Sequence, residues 1–143
     1  MKISSILGLN ARSKLFSYPY NNRLGKKIAR SKILTAKVLK QGGVSVPKIY
    51  KKFRDFFEVF SFKWEKLPSS FDIKPSKGLG GEGIIVVKKK ANPDPESWVT
   101  IDKKKVKTED LKLHVLDILE GAYSAGNVFE TAFIQEYVGR HKA

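Results

Sequence analysis

The chain has 143 residues, 41% hydrophobic and 11% aromatic, enough for one domain with a core or for two small lobes. It has no cysteine and two histidines, His114 and His141, which excludes disulfides, thiolate nucleophiles and a zinc site built from these residues alone. Its 28 Lys and Arg against 14 Asp and Glu leave a net charge of +14, which draws the chain towards phosphates of any kind.

No apolar run reaches the roughly eighteen residues that cross a bilayer, and Met1 to Leu9 is too short and too weakly apolar for a signal peptide. The expectation is a cytoplasmic protein with no membrane partner. Basic residues run the whole length, with clusters at Lys51 to Arg54, Lys88 to Lys90 and Lys103 to Lys107, the usual pattern of solvated strand ends and turns.

In chain order, residues 1–25 lack a sustained period and read as an irregular or partly helical lead-in. Ile28, Ile33, Leu34, Val38 and Leu39 fit one face of a helix over Lys26 to Gln41, stopped by Gly42-Gly43. Val44-Ser45-Val46-Pro47 leads into a short strand around Lys48 to Tyr50, and Arg54 to Phe60 reads as a short helix packed by Phe56, Phe57 and Phe60. Phe71 to Lys74 and the β-branched Gly83 to Lys88 read as strands flanking a glycine-rich loop, Pro75 to Glu82. Trp98 to Asp102 is a further strand. Thr108 is a candidate N-cap for a helix over Glu109 to Tyr123 that buries Leu111, Val115, Ile118 and Leu119. After Gly126 and Asn127, Ala132 to Val138 alternates as a final strand. The layout is α+β without internal repeat, read as a helix-strand lobe over 1–68 and a loop-bearing lobe over 69–143.

Gly78-Leu79-Gly80-Gly81-Glu82-Gly83 satisfies G-x-G-x-x-G, a motif shared by several nucleotide folds. A dinucleotide fold needs these glycines to open a helix, whereas Ile84-Ile85-Val86-Val87 signals a strand. A Walker A loop ends in Gly-Lys-Ser/Thr, but the lysines here, Lys74 and Lys77, precede the glycines. A kinase catalytic loop and an Asp-Phe-Gly motif are missing from the residues that follow. What remains is a strand-loop-strand flap: glycines let backbone N–H groups approach a polyphosphate, and a lysine on the preceding strand neutralises it.

The run Phe71-Asp72-Ile73-Lys74-Pro75 through Gly83-Ile84 resembles the lysine-proline and glycine loop of ATP-grasp enzymes. Lys32-Ile33-Leu34-Thr35, continuing to Val44-Ser45-Val46-Pro47, resembles that superfamily's lysine, helix and Gly-Val-x-Val-Pro segment, and Phe133 to Val138 is similar to its adenine-holding strand. Leu7 to Arg12, Tyr18 to Asn21 and Phe62 to Pro68 look like the sugar-transfer-associated, alpha-L-glutamate ligase-related branch. The chain departs from the pattern at Arg30-Ser31, where relatives commonly carry acidic residues, and at Leu79, where a small hydroxyl residue often sits among the glycines.

The resemblance implies an ATP-grasp-like N-terminal portion, an incomplete ATP-grasp fold, from a ligase that activates a carboxylate as an acyl phosphate for attack by an amine. It implies that Lys32 and Lys74 contact ATP phosphates, that Gly80, Gly81 and Gly83 form the flap, and that Gln135, Glu136, Tyr137 and Val138 line the adenine. Magnesium ligands are expected beyond Ala143, so the chain alone is expected to be inactive, with its last strand left as an uncovered sheet edge. Carboxylate and amine remain undefined. The alternative is a small basic nucleic-acid-binding module whose lysines grip backbone while Phe53, Phe56 or Trp64 stack on bases.

Overall fold

The computed structural model describes residues 8–78, 80–91, 96–124, 126 and 128–139. The chain divides into two compact units, Met1–Val44 and Ser45–Ala143.

The first unit is helical. Helix α1 (Leu9–Arg12), a π-helical turn (Ser13–Ser17) and α2 (Tyr18–Tyr20) run on without a break, since Arg12, Ser17 and Tyr18 all keep right-handed helical backbone. α3 (Arg23–Arg30) and α4 (Lys32–Gln41) replace the single helix expected over Lys26 to Gln41. The break is at Ser31, which is extended (φ −114°, ψ 109°) and whose hydroxyl accepts the Leu34 N–H at 3.3 Å. Serine offers the backbone this alternative partner, and the apolar periodicity across it carries no sign of the cap.

The second unit is a six-stranded antiparallel sheet of order β1-β6-β2-β3-β4-β5, with helices on one face. The strands are β1 (Ile49–Phe53), β2 (Phe71–Pro75), β3 (Ile85–Lys90), β4 (Ser97–Thr100), β5 (Lys105–Lys107) and β6 (Ala132–Glu136). α5 (Phe56–Ser61) and α6 (Thr108–Leu119) pack against them. α6 buries Leu111, Val115, Ile118 and Leu119, the i, i+4, i+7, i+8 stripe expected of one helix face, against Phe71, Ile73, Val87, Trp98 and Ile134. It starts one residue earlier than expected: Asp110 accepts the Lys107 N–H at 2.8 Å, and the Thr108 hydroxyl donates instead to the Glu96 carbonyl at 3.1 Å.

Two expectations fail here. Phe56, Phe57 and Phe60 are 43%, 79% and 65% exposed, and α5 buries Val59 instead. The aromatic core at this end is Phe53 stacked on Trp64 at 5.7 Å, with Phe62 edge-on to both, because the indole N–H is satisfied by the Val59 carbonyl at 3.0 Å. The last strand is no edge: β1 returns to cover one side of β6 (Phe53 opposite Ala132) while β2 holds the other. The edges are β1 and β5, each carrying lysines, Lys51 and Lys52 on one and Lys105 and Lys107 on the other, which discourage pairing with another chain.

Candidate functional site

Along β2, alternation sends Phe71 and Ile73 into the core and turns Asp72 and Lys74 to the face opposite the helices. Register places Gln135 directly opposite Asp72 and Phe133 opposite Lys74 on the same face. Lys74 is held there by Asp72, Nζ to Oδ2 at 2.8 Å, with the two side chains 21% and 8% exposed. The second Asp72 oxygen is buried without a hydrogen-bond partner. A paired lysine on a buried strand is fixed in position, unlike a solvated one that samples many rotamers.

From Pro75 the chain enters the loop, and both ends of the loop are fastened. At its start Ser76 N–H donates to the Thr131 carbonyl at 2.9 Å, and Lys77 N–H donates to the carboxylate of Glu130, a residue only 7% exposed. At its end the Gly83 carbonyl accepts from His114 Nε2 on α6 at 2.9 Å, which fixes the neutral tautomer with its proton on Nε2. Tyr123 lies against Gly83, with its hydroxyl 3.5 Å from His114 Nδ1. Burial pushes the His114 imidazolium pKa down, its bond to the Gly83 carbonyl offsetting part of this, and burial pushes the Tyr123 phenol up.

Between these fastenings the tip is open. Gly80 and Gly81 have φ +62° and +81°, with nothing within 4 Å of where a Cβ would stand, and Gly83 has φ +71°. All three glycines singled out in the sequence therefore use left-handed backbone that other residues adopt at a cost. Leu79 lies outside the described residues.

Gln135 shares the Lys74 face. Glu136 sits at the end of β6, its N–H donating to the Lys48 carbonyl at 2.8 Å and its side chain accepting the Lys48 N–H at 3.1 Å. Its groups are thus engaged in closing β1 onto the sheet. Tyr137 and Val138 follow the strand, Val138 exposed and Tyr137 half-buried. Lys32 opens α4 in the first unit.

Four residues that fix the loop or its lysine were missed: Asp72, His114, Tyr123 and Glu130. Asp72 was within reach of the sequence, because alternation puts it beside Lys74. The other three come from distant segments and carry no local signal. Of the aromatics proposed to stack on bases, Phe53 and Trp64 are 0% and 2% exposed, so only Phe56 presents a ring to solvent. A shallow depression on edge strand β1, lined by Tyr50, Lys51, Lys52, Arg54 and Glu58, lies apart from the loop, with Lys51 paired to Glu58 at 3.6 Å.

No helix among the described residues is long and apolar enough to cross a membrane. Searches of curated proteins and of solved structures find no match. One family model, described as sugar-transfer associated ATP-grasp, matches residues 11–143.

Proposed function

Because the chain belongs to the sugar-transfer associated ATP-grasp family, we propose that Lys74 and the glycine loop that follows its strand bind ATP as part of a carboxylate–amine ligase. The observation that carries this is the loop itself, fastened at both ends, open at Gly80 and Gly81, and springing from the strand that holds Lys74. Left-handed glycines with clear space around them let backbone N–H groups meet phosphate oxygens, and the Lys74 ammonium supplies the charge. Gln135 shares the Lys74 face of the sheet, and the adenine-lining role of Gln135, Glu136, Tyr137 and Val138 rests on the family pattern. Lys32 enters through the family pattern alone.

In such a ligase the carboxylate oxygen of one substrate takes the γ-phosphoryl group from ATP, releasing ADP; the amine then attacks the acyl carbon and phosphate leaves. The residues of this chain bind and orient the nucleotide in that sequence. Among the described residues no group of three or more His, Asp or Glu could hold a metal ion; Asp72 and Glu130 each give one oxygen, to Lys74 and to the Lys77 N–H, and keep the other buried without a hydrogen-bond partner. These residues do not fit magnesium, and no step is assigned through it.

Calorimetric titration with ATP tests the reading, using the wild-type chain and the paired variant Asp72→Asn/Lys74→Gln, which removes both charges together. Loss of one charged hydrogen-bond donor to phosphate should weaken binding about tenfold or more. Unchanged ATP affinity in the paired variant would remove Lys74 from the site, and a folded wild-type chain that ignores ATP while binding a single-stranded oligonucleotide in a salt-sensitive way would favour the nucleic-acid reading instead.

A further inference from the structure

The charge of the chain is unevenly distributed: its first acidic residue is Asp55, so the whole of the first unit carries Lys and Arg with no carboxylate side chain to offset them. The same unit buries no apolar side chain among its described residues, where Ser31 is the one buried group. Leu15, Phe16, Tyr18, Tyr20 and Leu24 are instead 55%, 54%, 65%, 80% and 66% exposed. Short helices owe most of their stability to packing of an apolar face, and within this unit Ile28, Ile33 and Leu34 are only half-buried where α3 meets α4.

On α3, Leu24 and Ile28 stand one turn apart on one stripe, and Arg23, Lys26, Lys27 and Arg30 fill a neighbouring arc that begins at Lys27, three residues on from Leu24. Lys26 Nζ sits 4.4 Å from the centre of the Tyr18 ring, which ties α3 to the helical run over residues 9–20 and presents the two sets of side chains together.

We propose that this unit lies on an anionic bilayer surface, its leucines and Phe16 entering the headgroup–acyl boundary and its lysines and arginines meeting lipid phosphates. Uniform positive charge selects an anionic partner, and the kind of apolar residue selects lipid over nucleic acid. Exposed Leu15 and Leu24 gain nothing from stacking on bases but partition into hydrocarbon, and one face of the Tyr18 ring is already taken by Lys26. The expectation of no membrane partner came from the lack of a spanning segment, which is silent about surface attachment. This inference does not depend on the ATP reading.

Co-sedimentation of the full chain with vesicles tests it, comparing phosphatidylcholine alone with phosphatidylcholine mixed with phosphatidylglycerol. The chain should partition onto the mixed vesicles at least tenfold better, by the attraction of several basic residues for an anionic surface. Phe16→Ser/Leu24→Ser and Arg23→Gln/Lys27→Gln should each lower that partition about tenfold or more, with the far-ultraviolet circular dichroism of the chain retained. Equal partition onto both vesicle types, or full binding by Phe16→Ser/Leu24→Ser, would overturn the proposal. So would a single-stranded oligonucleotide that displaces the chain from the vesicles, which would transfer the surface to nucleic acid.

Discussion

Replacing Gly83 by alanine adds one methyl group where backbone and neighbours both resist it. The residue has φ +71°, and a Cβ there would stand 2.7 Å from two ring atoms of Tyr123 and 3.1 Å from its Cβ. Left-handed backbone costs alanine about 1 kcal/mol or slightly more relative to glycine. Forcing a methyl into a filled space adds about 1–3 kcal/mol, because Tyr123 must move and its neighbour His114 with it. The expected destabilisation is therefore about 2–4 kcal/mol. Gly80→Ala is the internal control: its φ is +62°, but nothing lies within 4 Å, so only the backbone cost of about 1 kcal/mol applies. Urea unfolding should show the larger drop in midpoint for Gly83→Ala at unchanged slope, and combining it with Tyr123→Ala should give a coupling of about 1–2 kcal/mol. Equal midpoints for the two alanine variants would refute the idea that Tyr123 fastens this end of the loop.

Lys74→Met alone should cost about 2–3 kcal/mol, since it leaves the Asp72 carboxylate, 8% exposed, without its cation, whereas Asp72→Asn/Lys74→Met should regain most of that in urea unfolding; a double variant as weak as the single one would contradict it. His114 is held neutral by burial, its pKa depressed from the ordinary 6.5. As pH falls below about 6.5 the unfolded chain takes up a proton that the folded chain resists, so stability present above that pH is lost on the way down through the depressed value. Thermal midpoints recorded against pH should decline more steeply for wild type than for His114→Gln in that window, and parallel profiles would remove His114 as the cause. Phe53→Ala should cost about 3–5 kcal/mol, whereas Phe57→Ser, at a residue 79% exposed, should leave the urea midpoint nearly unchanged.

What the sequence made legible was local. The β2–loop–β3 hairpin with its lysine, the left-handed glycines and the apolar stripe of α6 are each encoded within a few turns or strand repeats, where side-chain spacing is set by backbone geometry. The α3–α4 break was hidden because apolar spacing continues across Ser31 while the cap that stops the helix is one hydroxyl. Phe56, Phe57 and Phe60 misled because hydrophobicity alone does not say which aromatics a sheet has room for; Phe53, Phe62 and Trp64 fill it first. β5 is three residues long, two of them lysines, and gives no strand pattern of its own. Glu130, His114 and Tyr123 reach the loop only through the fold, so no reading of neighbouring residues could connect them to it.

The place of β6 also fixes the order in which the sheet can be made. Ala132 to Glu136 wedge between β1 and β2, so Phe53 meets Ala132 and Phe71 meets Glu136 only once the intervening chain has been synthesised and closed into a loop. Until residues 132–136 leave the ribosome, β1 has no partner strand, and β2 has only β3. The β2–β3 hairpin can form early from local contacts, but joining β1 to it waits on the last strand and on the entropy of closing that long loop. A nascent chain arrested before Ala132 should therefore present β1 and one side of β2 as bare edges, open to pairing with another chain.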